Sequence, residues 1–301
     1  MARFGAIAAA NLLNDFVSET DPPRHVEKII VAIIVAYDAA GDQDPSELAE
    51  SWAQTVLRKA SELQAEASKR RAPLNFEFNA ADEEHIQGRL YINGSDPPEL
   101  KASKLNRIPA KNIESILPEL DPARFEKLCA IVLEKLGCPN PAVSTQSNDQ
   151  GIDFFGSIPL GSILKATTLP DSVEESLSVW VFGQAKRYNK SIVKTAELRE
   201  IVGSVELAKA RAYSSLNHSL SDTIIRACDP VFYMFITSGD FTTGGHTLID
   251  NSGVIAMDRK QLAAFLADHK VGIIKGEFSK ARFLDVIDQV SYRQHPQDEV
   301  D

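Results

Sequence analysis

Apolar and polar residues alternate at helical spacing through most of the first seventy residues. This pattern predicts helices at residues 4–16, 24–37 and 45–71. Asp44 and Pro45 stand where the third helix begins, as an N-cap and a first-turn proline. The sequence therefore predicts a mainly helical N-terminal domain.

Two strand-like stretches follow these helices. Leu74–Phe78 alternates apolar and polar residues, and Gly88–Ile92 precedes the Asn93-Gly94 turn, which together predict a small two-stranded element. Helices followed by two paired strands also occur in winged-helix domains, although the long third helix and the acidic composition argue against a version that reads DNA. We interpret residues 1–105 as an interaction, dimerisation or regulatory domain.

A polar, proline-bearing stretch separates this region from the rest of the chain. Residues 93–111 are locally basic and typical of a linker, so we place a domain boundary near residue 105. The main domain is then predicted at residues 106–275. Residues 276–301 are expected to form a C-terminal helix and a disordered polar tail.

After residue 120, short apolar strands alternate with amphipathic helices. A helix is predicted to begin at the Asp121-Pro122 pair and to end at Gly137. Strands are predicted at residues 142–145, 151–155, 177–186, 231–236 and 254–257, and further helices at 195–211 and 259–269. This order indicates an α/β fold with helices on both faces of a central sheet.

Composition excludes several classes of protein. No apolar run approaches the roughly 18 residues that cross a membrane, and the N-terminus lacks the strongly basic start of a signal peptide. The three cysteines and six histidines show no metal-ligand spacing, and Walker, nucleophile-elbow and HExxH motifs are absent. We expect a cytoplasmic protein with reduced thiols and no membrane association.

The net charge of −10 is unevenly distributed. Residues 1–100 carry 9 basic and 17 acidic side chains, whereas residues 101–301 carry 23 basic and 25 acidic ones. The second part is nearly neutral, so a local basic patch could still bind nucleic acid there. A high-affinity architectural DNA-binding protein is disfavoured.

Polar residues interrupt the apolar strand at 177–186 and lie near the strand before it. Gln184 and Lys186 are two residues apart, so their side chains project from the same face. In a phosphodiesterase, Asp153, the Gln184 amide oxygen and the Ala185 backbone carbonyl would bind Mg²⁺. Lys186 would orient or deprotonate a water and stabilise charge on the phosphate, and Glu126 would reach the metal through a water.

These residues lie in motifs that resemble the PD-(D/E)xK nuclease superfamily, in particular its Mrr-type restriction endonuclease branch. The similar segments are Phe125–Leu128 with Leu136-Gly137, Asp149–Asp153, Gln184–Tyr188, Ile236–Thr242 and Ile255–Leu262. In the third of these, Gln replaces the more usual Glu of the superfamily motif. The resemblance covers residues 121–268 and implies a mixed central sheet of the restriction-endonuclease type.

The resemblance also implies a function. It predicts an endonuclease that hydrolyses DNA with Mg²⁺ or Mn²⁺, in bacterial or phage defence against foreign or modified DNA. Arg187, Tyr188, Thr237 and Ser238 become candidate substrate contacts, although each also suits a surface or turn. Cleavage of both strands needs two active sites, so we expect a homodimer or larger assembly, and residues 1–105 could bind a protein partner or an activating signal.

Two alternatives remain open. The fold could be a catalytically silent module that binds nucleic acid or scaffolds a defence complex, or it could be an RNase. The stretch at residues 161–175 is longer than expected for the family and is either a solvated loop or a regulatory or substrate-contacting insertion. Asp149 is either a metal ligand or, more simply, a turn residue.

Overall fold

The chain divides into two compact units. The structure, a computed structural model, describes residues 4–69, 73–144, 151–159, 177–188, 192–209 and 228–290, without the side chains of residues 204–209. The N-terminal unit is Met1–Ile108 and the C-terminal unit is Pro109–Asp301. Asp149, residues 161–175 and the polar tail lie outside the described residues. No helix in the described part of the chain is long and apolar enough to cross a membrane.

The N-terminal unit packs helices beside a small antiparallel sheet of strand order β1-β3-β2. Its elements are α1 (Ala6–Phe16), β1 (Arg24–His25), α2 (Val26–Ala36), α3 (Pro45–Lys69), β2 (Phe76–Asn79), β3 (Asp82–Gly88) and α4 (Pro98–Arg107). Helix α2 contributes Ile29, Ile30 and Ile33 to the core, and α3 contributes Val56 at helical spacing.

Three features of this unit differ from the sequence predictions. The sheet has three strands because Arg24 and His25 pair with β3, where the pattern predicted two strands and a helix beginning at residue 24. The last strand spans Asp82–Gly88 and not residues 88–92. It was not predicted because its first half is exposed and acidic and so lacks alternating apolar residues. Helix α4 occupies the predicted linker, and its Lys104 is buried.

The C-terminal unit contains an α/β core. Its elements are α5 (Ala110–Ile116), a 3₁₀ turn (Leu117–Glu119), α6 (Pro122–Lys135), β4 (Ala142–Val143), β5 (Phe154–Pro159), β6 (Ser178–Lys186), β7 (Ile192–Val193), α7 (Thr195–Lys209), β8 (Val231–Thr237), β9 (Asp240–Phe241), α8 (Thr243–Ser252), β10 (Ile255–Met257), α9 (Arg259–Asp268), β11 (Ile273–Ile274), β12 (Glu277–Phe278) and α10 (Lys280–Asp288). The main sheet has strand order β10-β8-β6-β5-β4. Strands β6, β8 and β10 are parallel, whereas β4, β5 and β6 are antiparallel neighbours. The predicted mixed sheet flanked by helices is confirmed.

Apolar clusters cover the two faces of this sheet. One includes Leu128 of α6 and Leu262 of α9, and the other includes Phe182 of β6 and Leu198 of α7. Strand β6 lies between β5 and β8, so its side chains alternate between the two clusters. Central strands covered on both faces read as nearly continuous apolar runs, which explains why β6 and β8 were recognisable in the sequence.

Strands β5 and β6 form an antiparallel pair with one register along its length. The pairing runs from Pro159 opposite Ser178 to Phe154 opposite Gly183. A Cβ atom on Gly183 would lie only 2.0–2.5 Å from the Phe154 ring, so the ring occupies the space that a side chain at 183 would need. Glycine at this position therefore keeps β5 and β6 paired immediately before Gln184.

Candidate active site

Helix α6 places Glu126 beside the main sheet. The Asp121 carboxylate caps the helix by accepting a hydrogen bond from the Arg124 N–H at 2.9 Å, and Pro122 occupies the first turn. Leu128 and Cys129 lie fully buried on its inner face, and Glu126 is half-buried at the margin. The predicted start of this helix is confirmed.

Asp153 immediately precedes β5, at the point where the regular backbone pairing of β5 with β6 ends. Its N–H donates to the Gly183 carbonyl at 2.9 Å, and its carboxylate Oδ2 accepts the Ala185 N–H at 2.6 Å. The carboxylate thus takes the position that a backbone carbonyl holds in a regular ladder. Only 8% of Asp153 is exposed. The N–H and C=O of a strand residue point toward the same neighbouring strand, so the Ala185 carbonyl also faces β5.

Gln184 is fully buried in β6. Its amide oxygen and nitrogen have no hydrogen-bond partner among the described residues. An unpaired buried amide costs about 1–3 kcal/mol, so native proteins rarely leave one without a purpose. The strand alternation places it on the same face as Phe182 and Lys186, as the sequence spacing predicted.

Lys186 is the last residue of β6, and neighbouring groups fix its backbone. The Thr237 hydroxyl donates to the Lys186 carbonyl at 2.8 Å and accepts the Gly239 N–H at 3.0 Å. The Ser238 N–H donates to the same carbonyl at 3.2 Å. The side chain of Lys186 is half-buried. These contacts hold the lysine backbone two residues beyond Gln184.

Two carboxylates approach the same buried thiol. Burial raises the pKa of the Cys129 thiol well above its usual range, and the charges of Asp153 and Glu126 raise it further. Asp153 and Glu126 therefore both lie close enough to Cys129 to act on its thiol, although 27 positions separate them in the sequence. A thiol in such surroundings stays protonated and is a poor nucleophile, so Cys129 serves packing in the core.

The four candidate substrate contacts differ in their surroundings. Thr237 and Ser238 are fully buried. The Ser238 hydroxyl accepts the Tyr188 N–H at 2.7 Å and donates to the Tyr188 carbonyl at 3.0 Å. The hydroxyls of Thr237 and Ser238 thus hold the chain that follows β6.

Arg187 and Tyr188 are half-buried and already hydrogen-bonded within the unit. Arg187 Nη1 donates to the Pro118 carbonyl at 3.1 Å, and the Tyr188 hydroxyl donates to Glu197 Oε1 at 2.6 Å. Burial and the nearby Glu197 carboxylate raise the pKa of Tyr188 well above its ordinary value. Tyr188 is therefore neutral at physiological pH.

Two residues near these groups were not predicted from the sequence. Ser144 follows β4, and its N–H donates to the Asp153 carbonyl at 2.9 Å. Glu197, in the first turn of α7, accepts hydrogen bonds from Tyr188 and from the Lys194 N–H. Neither stands in a recognisable motif. A polar residue at an inward position beside a buried strand was the available signal for Ser144.

The residues near Asp153 suit a hard divalent cation. No group of three or more His, Cys, Asp or Glu residues capable of holding a metal occurs in the described part of the chain. The available donors are instead mixed oxygens: the Asp153 carboxylate, the Gln184 amide and the Ala185 carbonyl, with the Glu126 carboxylate nearby. Mg²⁺ binds such oxygens and keeps several waters, and the unpaired Gln184 oxygen fits that role.

Comparison with known proteins identifies the domain around these residues. Residues 117–215 match the Mrr_cat family model, described as a restriction endonuclease. This segment is similar to restriction endonuclease domains. The match includes Glu126, Asp153, Gln184 and Lys186, so the resemblance seen in the sequence is confirmed.

Solved structures of restriction endonucleases are also similar to the chain. MspJI in complex with a 27-mer oligonucleotide is 19% identical, with a TM-score of 0.40, over 69% of this chain and 44% of that one. FokI bound to DNA is 11% identical, with a TM-score of 0.37, over 88% of this chain and 44% of that one. The chain spans less than half the length of either structure. No curated protein matches the chain.

Proposed function

We propose that the restriction endonuclease domain is a metal-dependent endodeoxyribonuclease that hydrolyses DNA phosphodiester bonds with Mg²⁺ or Mn²⁺. The observation that carries the proposal is the fully buried Gln184 amide, unpartnered among the described residues, on the strand whose next N–H binds the Asp153 carboxylate. An unpaired amide is costly in a core, but its oxygen is of the type that binds Mg²⁺.

Each donor has a distinct role in this proposal. Asp153, the Gln184 Oε1 atom and the Ala185 carbonyl would hold the cation, and Glu126 would reach it through a water. A cation bound there supplies charge stabilisation to the phosphate and lowers the pKa of a coordinated water. Asp153 also accepts a hydrogen bond from the Ala185 N–H. The same carboxylate therefore orients Ala185, whose carbonyl is the third proposed ligand.

Lys186 acts on the phosphate in the proposed mechanism. As an ammonium, Lys186 would neutralise charge that develops on the phosphate oxygens and orient the attacking water; to take a proton from that water it would have to act as the neutral amine. Thr237 and Ser238 support this role by fixing the lysine carbonyl and the next residues. We therefore assign Thr237 and Ser238 to positioning, and we retain Arg187 and Tyr188 as the candidate contacts to DNA.

The proposed biological setting is defence against foreign or modified DNA in a cytoplasm. A homodimer or larger assembly would bring two such sites to the two strands of a duplex. The acidic N-terminal unit would bind a partner or an activating signal. Its excess of negative charge makes it an unsuitable DNA-binding surface by electrostatics alone.

Plasmid cleavage tests the proposal directly. Purified protein is incubated with supercoiled plasmid in Mg²⁺, in Mn²⁺ and in EDTA, beside Asp153→Ala. We expect nicking or linearisation with either metal and none in EDTA or with the variant. Cleavage of RNA in preference to DNA would replace the proposal with an RNase. A wild-type protein that binds Mn²⁺ and DNA without cutting would identify a silent binding module.

A further inference from the structure

Ser144 is buried at a position where an apolar side chain is expected. It follows β4 immediately, and only 1% of it is exposed. Strand alternation puts it on the same face as Ala142, which packs in the cluster that contains Phe155 and Phe182. A residue aimed into an apolar cluster is normally apolar itself. The serine therefore needs a separate explanation.

The Ser144 hydroxyl has no hydrogen-bond partner among the residues that the structure describes. A hydroxyl can donate one hydrogen bond and accept two, and leaving all of them unmade in a core is unfavourable. Gln184 is the other fully buried side chain of the sheet with unpaired polar atoms in the described ranges.

Asp153 lies between these two residues in the order of the strands. The pairs Ala142–Phe155 and Val143–Phe154 set the register of β4 and β5, and the Ser144 N–H continues it by donating to the Asp153 carbonyl. Ser144 and Asp153 are thus cross-strand neighbours in this pairing. On the other side, the Asp153 carboxylate binds the backbone of β6 next to Gln184.

We propose that Ser144 is a positioning residue of this site, whose hydroxyl holds a cation-bound water beside the Asp153 carboxylate. The inference rests on the proposed function. Mg²⁺ and Mn²⁺ sites in proteins retain waters, and a neutral hydroxyl is better suited to hydrogen-bond such a water than to replace it as a ligand. The water would then be the hydrogen-bond partner that the Ser144 hydroxyl lacks among the described residues.

The test is Mn²⁺ binding measured by calorimetry without DNA, together with thermal unfolding in EDTA. The proteins are wild type, Asp153→Ala, Ser144→Ala and Ser144→Thr, with Ser115→Ala as the matched control because that hydroxyl is exposed and bound to the Asn112 carbonyl. We expect Ser144→Ala to weaken Mn²⁺ binding about tenfold, as removal of outer-shell partners does. Ser144→Thr and Ser115→Ala should bind like wild type.

Unfolding in EDTA separates this role from a structural one. Without metal, Ser144→Ala should melt at or above the wild-type temperature, because it removes an unpaired hydroxyl from the core. A lower melting temperature in EDTA with unchanged Mn²⁺ affinity would overturn the proposal. Should the alanine variant fail to fold, Ser144→Cys keeps the shape, is a weak hydrogen-bonding group, and is expected to show the same loss of affinity.

The outcomes also separate this inference from the proposed function. Wild-type Mn²⁺ binding that disappears in Asp153→Ala establishes the metal site even if no cleavage occurs. Unchanged affinity in Ser144→Ala then removes only Ser144 from that site. An absence of Mn²⁺ binding in the wild-type protein overturns both the metal-dependent function and the role of Ser144.

Discussion

The two units each contain a buried glutamine, and the two side-chain amides differ in their hydrogen bonding. Gln87 in β3 of the N-terminal unit is 1% exposed, and its amide donates to Glu77 and accepts from Asn79, both at 2.8 Å. Gln184 in β6 of the C-terminal unit is equally buried but has no partner among the described residues. The first amide stabilises its fold, whereas the second retains hydrogen-bonding capacity that the fold does not use.

The lysines of the two units extend the contrast. Lys104 is buried, and its ammonium donates to the Tyr91 carbonyl at 2.7 Å and to Asp96 at 3.1 Å. Lys186 ends a strand, and its backbone rather than its ammonium is fixed by the hydrogen bonds of Thr237 and Ser238. Hydrogen bonds satisfy the buried polar groups of Gln87 and Lys104, whereas Gln184 has none among the described residues, as expected if it is a ligand of the proposed metal site.

The largest expected effect is the loss of cleavage in Lys186→Ala, with Lys104→Ala as the variant for comparison. Lys186→Ala should lower the cleavage rate by roughly a hundredfold or more, because it removes charge stabilisation at the reacting phosphate. It should leave the unfolding of both units nearly unchanged. Lys104→Ala should instead destabilise the N-terminal unit, because Asp96 and the Tyr91 carbonyl lose their donor. Plasmid cleavage and calorimetric unfolding of both variants measure the difference, and near-wild-type cleavage by Lys186→Ala would remove the lysine from the site.

Replacing each glutamine by methionine should change stability in opposite directions. Gln87→Met should cost about 1–3 kcal/mol, because two partners are left without a hydrogen bond. Gln184→Met in EDTA should be neutral or stabilising, because an unpaired amide is replaced by an apolar chain of similar length. Denaturant titration measures both values. Equal destabilisation by the two substitutions would show that Gln184 has a structural partner after all.

A smaller effect is expected for Thr237→Val, which preserves shape and removes the hydroxyl. The Lys186 carbonyl and the Gly239 N–H each lose one hydrogen bond, for a cost of about 1–2 kcal/mol. Cleavage should slow through misplacement of Lys186, with the affinity for Mn²⁺ unchanged. A variant that loses Mn²⁺ binding instead would contradict the positioning role.

The Lys104–Asp96 pair of the N-terminal unit predicts a pH dependence. Burial opposes ionisation of Asp96, but hydrogen bonds from the Lys104 ammonium and the Asn93 N–H leave its pKa below the ordinary value. A carboxyl group with a lowered pKa stabilises the fold above its unfolded-state pKa of about 3.9 and loses that contribution as pH falls through the folded-state value. The melting temperature of Asp96→Asn should thus lie below wild type at pH 7 and converge with it below about pH 4. A constant difference across this range would exclude ionisation of Asp96 as the cause.

The smallest effect is expected for Tyr188→Phe. The substitution removes the hydrogen bond to Glu197, which is half-buried, and should cost about 1 kcal/mol. If the ring rather than the hydroxyl approaches DNA, cleavage should stay close to the wild-type rate. A large loss of cleavage with unchanged stability would assign the hydroxyl itself to the substrate.

Much of the C-terminal unit was predictable because its signals are local. Asp121 and Pro122 mark the start of α6, and the apolar run before Gln184 marks β6. Ser144 escaped prediction because its strand has two residues and because its significance depends on the cross-strand position of Asp153. No one-dimensional pattern contains that pairing.

The N-terminal unit was harder because its signals are tertiary. Gly88 allows close approach of the backbone at residues 18 and 19, where a Cβ atom would lie 2.3–2.4 Å from main-chain atoms. After Gly88 the chain hydrogen-bonds to the Glu19 carbonyl rather than continuing the strand predicted at residues 88–92. Lys104 lies in the stretch predicted to be a linker, and nothing in the local sequence indicates that its ammonium binds the Tyr91 carbonyl. Long-range contacts of this kind override local propensity.

The uniform register of β5 and β6 has a consequence for how this protein can vary. The chain leaves β5 at Pro159 and enters β6 at Ser178, and this end of the pair lies about 17 Å along the strands from Phe154 and Gly183. An insertion between residues 160 and 176 is thus attached at the opposite end of the hairpin from Asp153 and Gln184. A change of length in that segment is therefore expected to leave the pairing of Phe154 with Gly183 unchanged, and with it the alignment of the proposed site.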